Sequence, residues 1–96
     1  MFETGAATVR VVGGPAAFYE RYQTTTLYVE RVFGNSIGTL TISNDSTTDT
    51  VNFSYDGATI DGSLGAGESI TLNTNNLSSV YICGVAGGGY ARIWGW

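Results

Sequence analysis

Five carboxylates, Asp45, Asp49, Asp56, Asp61 and Glu68, fall in or beside turn-rich stretches of this 96-residue chain and are its first candidates for chemistry. Two of them brought about 5 to 9.5 Å apart would make a glycosidase-like acid–base pair, and a cluster of their oxygens would suit Ca2+. The spacing favours neither. Asn44-Asp45-Ser46-Thr47-Thr48-Asp49 lacks the glycine and the closing Glu of an EF-hand loop, and Asp and Asn in turns ordinarily accept hydrogen bonds from nearby backbone N–H groups. That local use is the expectation here. Nucleophilic catalysis has no base: the chain contains no His and no Lys, so its Ser and Thr hydroxyls have no usual partner to activate them. Cys83 follows Ile82 on a strand with no His to lower its pKa and reads as a small apolar filler. Gly84-Val85-Ala86-Gly87-Gly88-Gly89 superficially matches a phosphate loop. It has no following Lys and lies between two strands, so it reads as a hairpin loop. The sequence thus assigns no catalytic, cofactor-binding or metal site, and the expectation is a protein that is not an enzyme and carries no cofactor.

Charge points the same way. The formal net charge is −4 and the only cations are Arg10, Arg21, Arg31 and Arg92, too few to neutralise a phosphate backbone, which excludes nucleic acid as a partner. No apolar run has the length of a signal peptide or of a membrane span. A soluble protein made in the cytoplasm, with no membrane partner, is therefore expected, and a single Cys is compatible with a reducing compartment. Ninety-six residues make one domain with a small stability margin. Chains of this size lean on disulfides, metals or neighbours, and one Cys forms no internal disulfide, so subunit contact is the staple left.

The elements that would position these residues are strands. Thr24 to Phe33 is the longest run of β-branched and aromatic residues, closed by Gly34-Asn35-Ser36. Leu40 and Ile42 alternate with Thr and Ser, as do Val51, Phe53 and Tyr55 with Thr50, Asn52 and Ser54. Asp56-Gly57 predicts a tight type I′ hairpin, returning through Ala58 to Leu64. Glu68 to Leu72, Ser79 to Cys83 and Tyr90 to Trp96 follow, with Ile70, Leu72, Val80 and Ile82 inward. Seven or eight strands at this spacing predict an all-β fold, a two-sheet antiparallel β-sandwich of jelly-roll or Ig-like type, over residues 24–96. Residues 1–23 read as an N-terminal arm, with a short strand at Ala7 to Val12 and a helical turn from Pro15 to Tyr22 that would place Phe18 and Tyr22 on one face.

The last strand is the sharpest feature. If Ala91 and Ile93 face the core, then Tyr90, Arg92, Trp94 and Trp96 form an outer row of the residue types enriched at interface hot spots; the alternative is that the Trp rings cap the core's end. Isolated sandwiches guard their edge strands with Lys, Pro or charge, and this chain has no Lys and only Pro15. The expectation is that partner subunits cover the edges, with Phe18, Tyr22, Tyr90, Arg92, Trp94 and Trp96 as contact residues.

The succession LTISN, VNFSYDG, LGAGESITL, SSVYICG and closing RIWGW, over Thr24 to Trp96, resembles small β-sandwich structural proteins of tailed bacteriophage virions, those that decorate capsids or occur in neck and tail parts. The resemblance implies a non-enzymatic virion protein, foremost a capsid decoration or cement protein that stabilises the head by binding between major capsid subunits. It also implies self-association as a trimer or other small ring, and a place on the virion, on the capsid surface ahead of neck or tail. A neck, tail or fibre-anchoring component and a glycan-binding attachment module remain alternatives.

Overall fold

The computed structural model describes Phe18–Trp96. Its regular elements are all strands: β1 (Phe18–Gln23), β2 (Val29–Asn44), β3 (Val51–Ser54), β4 (Gly62–Leu64), β5 (Ser69–Gly84) and β6 (Tyr90–Gly95). They form one antiparallel sheet in the order β1-β6-β2-β5-β3-β4. The expected all-β, antiparallel architecture is present. The described residues give six strands in one sheet, where seven or eight strands in two sheets were expected.

The difference lies in two 16-residue strands. The sequence reads each as two strands with turn residues between, because Gly34-Asn35-Ser36 and Asn73 to Asn76 carry turn chemistry. A β-bulge uses the same residues. The β2–β5 register shifts between Val32 and Ile37 and again between Ile37 and Thr39, with Gly34 at φ 86° and Asn76 at φ 56° absorbing the irregularity. Consequently the two halves of β2 have different neighbours: Val29–Val32 pairs with β5, whereas Leu40–Ser43 pairs with both β5 and β6.

The sheet folds over itself. β1 and the first half of β2 share no ladder, yet their side chains meet: the Phe18 and Phe33 rings pack edge to face with centroids 5.0 Å apart. The Arg31 guanidinium donates to the Glu20 carboxylate (Nε to Oε1, 2.8 Å) and lies 4.4 Å from the Tyr22 ring centroid. In the core Leu40, Ile42, Val51, Val80, Ile82 and Ile93 are fully buried, each contributing about 1.5 to 3 kcal/mol over exposure. Five of the six were readable from alternation; Ile93 lies in a strand whose two parities both carry apolar residues.

Three local expectations change. Phe18–Gln23 is a strand, not the end of a helical turn; six residues paired along β6 gain more hydrogen bonds than a lone turn, whose nucleus is costly. β1 is thus integral to the sheet. The strand expected at Ala7 to Val12 lies outside the described residues. Asp56-Gly57 is not a two-residue hairpin: Phe53 pairs with Gly62, leaving the loop 54–61 between them. A type I′ turn needs positive φ at both central residues, and here Gly57 has it (φ 83°) while Asp56 does not. The Asp56 carboxylate instead accepts the N–H groups of Ala58 and Thr59, which winds the loop outward and exposes Ile60. Finally, β2 begins at Val29, five residues later than the run from Thr24 suggests, because Thr25 Oγ1 accepts the Leu27 N–H and turns the chain there.

Candidate functional site

Alternation along β6 buries Ala91, Ile93 and Gly95 and turns Tyr90, Arg92 and Trp94 to the outer face. The β1–β6 register sets Tyr19 beside Trp94, Arg21 beside Arg92 and Gln23 beside Tyr90. On the other flank Thr41 adjoins Trp94 and Ser43 adjoins Arg92, and Thr41 pairs onward with Thr71, their hydroxyls 2.9 Å apart. The result is a surface graded from rings and guanidiniums to hydroxyls.

Its large side chains hold one another. Tyr19 and Trp94 pack at 5.4 Å between ring centroids, the Arg21 guanidinium lies 3.8 Å from the Tyr90 ring centroid, and that of Arg92 lies 5.1 Å from a Trp94 ring centroid. Arg92 Nε approaches Asp45 Oδ2 to 2.6 Å. Its N–H is not aimed at an acceptor, so this contact is a charge pairing without an aligned hydrogen bond. Arg31 is paired with Glu20, which leaves Arg21 as the one guanidinium without a carboxylate among the described residues. Tyr19 remains 55% exposed.

A cleft of about 390 Å3 adjoins this face, lined by residues Asp45 to Asp49 on one side and Ala86 to Tyr90 on the other. Its walls are held by hydrogen bonds of Asp49, which lines it, and of Asn44, which precedes Asp45 in the chain. Asn44 Nδ2 donates to the carbonyls of Asp49 and Leu64, and its Oδ1 accepts the Ser46 N–H. The buried Asp49 carboxylate accepts three N–H groups, from Thr50, Ala86 and Gly87, and so ties the glycine loop to the β2–β3 turn. These bonds, led by that from Ala86, lower its pKa. Asp56 is lowered as well, chiefly by the N–H groups of Thr59 and Ala58. In an unfolded chain both titrate near ~3.9. Their stabilising contribution is therefore fully present above about pH 4 to 5 and is lost as the pH falls below it toward the folded values. Thermal melts followed by circular dichroism from pH 7 to pH 2 are expected to stay level down to about pH 5 and then decline. Asp49→Asn should lower the plateau and make that decline shallower; an unchanged acid limb would show that Asp49 contributes nothing to it.

Asp61 Oδ2 accepts the Tyr55 N–H and Glu68 Oε1 accepts the Gly65 N–H, so four of the five loop carboxylates cap local or loop backbone, and Asp45 faces Arg92. Among the described residues no three His, Cys, Asp or Glu side chains converge as a metal-binding group. Burial, as the leading cause, raises the Cys83 thiol pKa and holds it protonated. Tyr28, placed across from it, has its hydroxyl buried with no hydrogen-bond partner and its pKa raised, first by burial and then by Cys83.

The six residues expected at an interface divide by parity. Tyr90, Arg92 and Trp94 share the outer face, and Trp96 is exposed at its end with its backbone paired to Thr39. Phe18 and Tyr22 point the other way and pack against the core. Sequence reasoning missed Tyr19 and Arg21; reading Phe18 to Gln23 at a period of two, not as a helical turn, would have found them. No protein-family model matches the chain, and no curated protein matches it either.

Proposed function

We propose that the chain is a non-enzymatic structural protein of a bacteriophage virion, foremost a capsid decoration or cement protein that stabilises the head by binding between major capsid subunits. The observation that carries this reading is the outer face of β1 and β6, where Tyr19, Arg21, Tyr90, Arg92 and Trp94 stand side by side. Tyr, Trp and Arg are the residues that dominate interface energetics. Because they are already stacked on one another, docking would cost little further side-chain entropy. The folded-over sheet acts in this reading as the two layers of a jelly-roll or Ig-like sandwich. Partners are the major capsid protein and other copies of the chain, in a trimer or small ring that the shell's symmetry sets and that forms on the shell, not in free solution. A partner that binds only the assembled shell stabilises that state by mass action.

Particles that bear and lack the protein provide the test. The protein is expected to raise their heat-disruption temperature, and Trp94→Ala should weaken particle binding by about 30-fold, as befits a hot-spot loss of about 2 kcal/mol. Equal disruption temperatures with and without the protein would remove the cement reading. Copy number then separates shell from neck or tail, since hundreds per particle means shell and a dozen or fewer means neck, tail or fibre anchor. A glycan-binding module is favoured by one feature, the exposed Tyr19 ring packed on the half-buried Trp94 beside the Thr41 and Thr71 hydroxyls; a glycan array without signal would eliminate it.

A further inference from the structure

The rims of the sheet are unequal. β1 carries Glu20 and Arg21, the first half of β2 carries Glu30 and Arg31, and β4 has three residues. The first half of β5 differs from all of these. From Ser69 to Ala91 the sequence contains no Asp, Glu, Lys, Arg or Pro. β5 pairs with β2 along one side, but β3 joins its other side only at Tyr81–Gly84, so among the described residues Ser69 to Leu77 has no strand on that side. Beside its later residues, Asn73, Thr74, Asn75 and Leu77 line a cavity of about 260 Å3 together with the exposed Tyr55. Ile70, Leu72 and Leu77 pack on the core yet remain partly exposed. This rim is open both in its hydrogen bonds and in its apolar flank.

We infer that Ser69–Asn73 pairs antiparallel with the same segment of a second copy about a two-fold axis at Thr71, joining two six-stranded sheets edge to edge. Charge selects this occupant. Two-fold pairing sets a strand against its own copy and brings any charged residue close to its like, which is destabilising across strands; of the long rims only this one carries no charge. With Thr71 opposite Thr71, Ile70 of each copy lies against Leu72 of the other on the inner side and Ser69 lies against Asn73 on the outer side. The apolar flank closes, and the bare rim that invites uncontrolled pairing disappears. This pairing is independent of the virion reading, and its test involves no particle.

Sedimentation velocity of the purified chain at micromolar concentration is expected to give a dimer, twice 10.1 kDa. Thr71→Lys, at an exposed position on the outer face, puts two ammonium groups at the axis and should weaken the dimer by ~100-fold, while the double variant Tyr19→Ala, Trp94→Ala remains dimeric. For the unaltered chain, backbone amides of Ser69–Asn73 should gain hydrogen-exchange protection as concentration rises, a readout that does not depend on how any variant folds. A wild-type monomer or trimer would overturn the inference. So would a dimer that survives Thr71→Lys, one lost in the Tyr19/Trp94 double variant, or amides in Ser69–Asn73 whose exchange ignores concentration.

Discussion

Asn44→Ala is expected to cost about 3 kcal/mol of folding stability and to lower the melting temperature by about 12 to 24 °C. The side chain is 1% exposed and satisfies three backbone groups at once, the carbonyls of Asp49 and Leu64 and the N–H of Ser46. Alanine removes all three partners from a site that water scarcely reaches, and each buried group left unpaired costs about 1 to 3 kcal/mol; relaxation of the surrounding turn brings the sum down to the figure given. Asn44→Asp tests the chemistry separately from the volume. A carboxylate keeps the acceptor for Ser46 but turns the donor toward Asp49 and Leu64 into an acceptor facing acceptors, so it should be at least as damaging at neutral pH and partly recover where it protonates. Urea unfolding at pH 7 and pH 4 measures both. Loss under about 0.5 kcal/mol for either variant, the range of an ordinary surface change, would mean that the turn re-forms its bonds without Asn44.

Asn44 also marks where sequence reading stopped. Its turn chemistry suggests a break between strands, whereas Asn44 is the last residue of β2, paired with Ala91; its side-chain partners come from Asp49 and from Leu64, twenty residues away, and nothing in local composition encodes that convergence. Alternation, by contrast, is a local signal. It found Leu40 and Ile42, Val51 and Phe53, and Val80 and Ile82, because a strand with one wet face must repeat every two residues; for the last strand, with apolar residues in both parities, it left Ala91 and Ile93 as one of two choices. Strand number was the weak point for a physical reason: Gly34 and Asn76 supply left-handed backbone, which serves a reverse turn and a bulge equally well, and only the long-range pairing of β2 with β5 decides between them. The outer face was half legible. Parity grouped Tyr90, Arg92 and Trp94 on one face without deciding that it was the outer one, whereas their neighbours Tyr19 and Arg21 sit in a segment too short to distinguish a helical period from a strand period. Four of the five loop carboxylates were legible as backbone caps, though not which backbone: Asp49 reaches Ala86 and Gly87 across 37 and 38 residues, and Asp45 faces Arg92 instead.

That long reach makes Gly84→Ala the second large loss, about 3 kcal/mol and again about 12 to 24 °C in melting temperature. Gly84 ends β5 opposite Val51, and its backbone is not left-handed, so the cost is one of space alone. A methyl group there would meet the Thr24 hydroxyl and lie 2.6 Å from Asp49 Oδ2 and 3.0 Å from Thr24 Cβ. Neither neighbour is free to yield. Thr24 is tied by its N–H to the Gly89 carbonyl and by its carbonyl to the Gly88 N–H, and Asp49 is held by three N–H donors. Overpacking a site of this kind costs about 1 to 3 kcal/mol, and displacing the carboxylate adds the loss of its bonds to Ala86 and Gly87. Because Tyr90 follows directly on that loop and carries the stacked Arg21, the disturbance should extend to the outer face and weaken whatever docks there. Gly38→Ala is the control, since a methyl group at Gly38 meets nothing nearer than 4.0 Å, and its stability should stay within about 0.5 kcal/mol of the parent. Equal melting temperatures for the two variants would mean that Thr24 and Asp49 move aside freely, and the account of the glycine loop as rigidly anchored by Asp49 would fail with it.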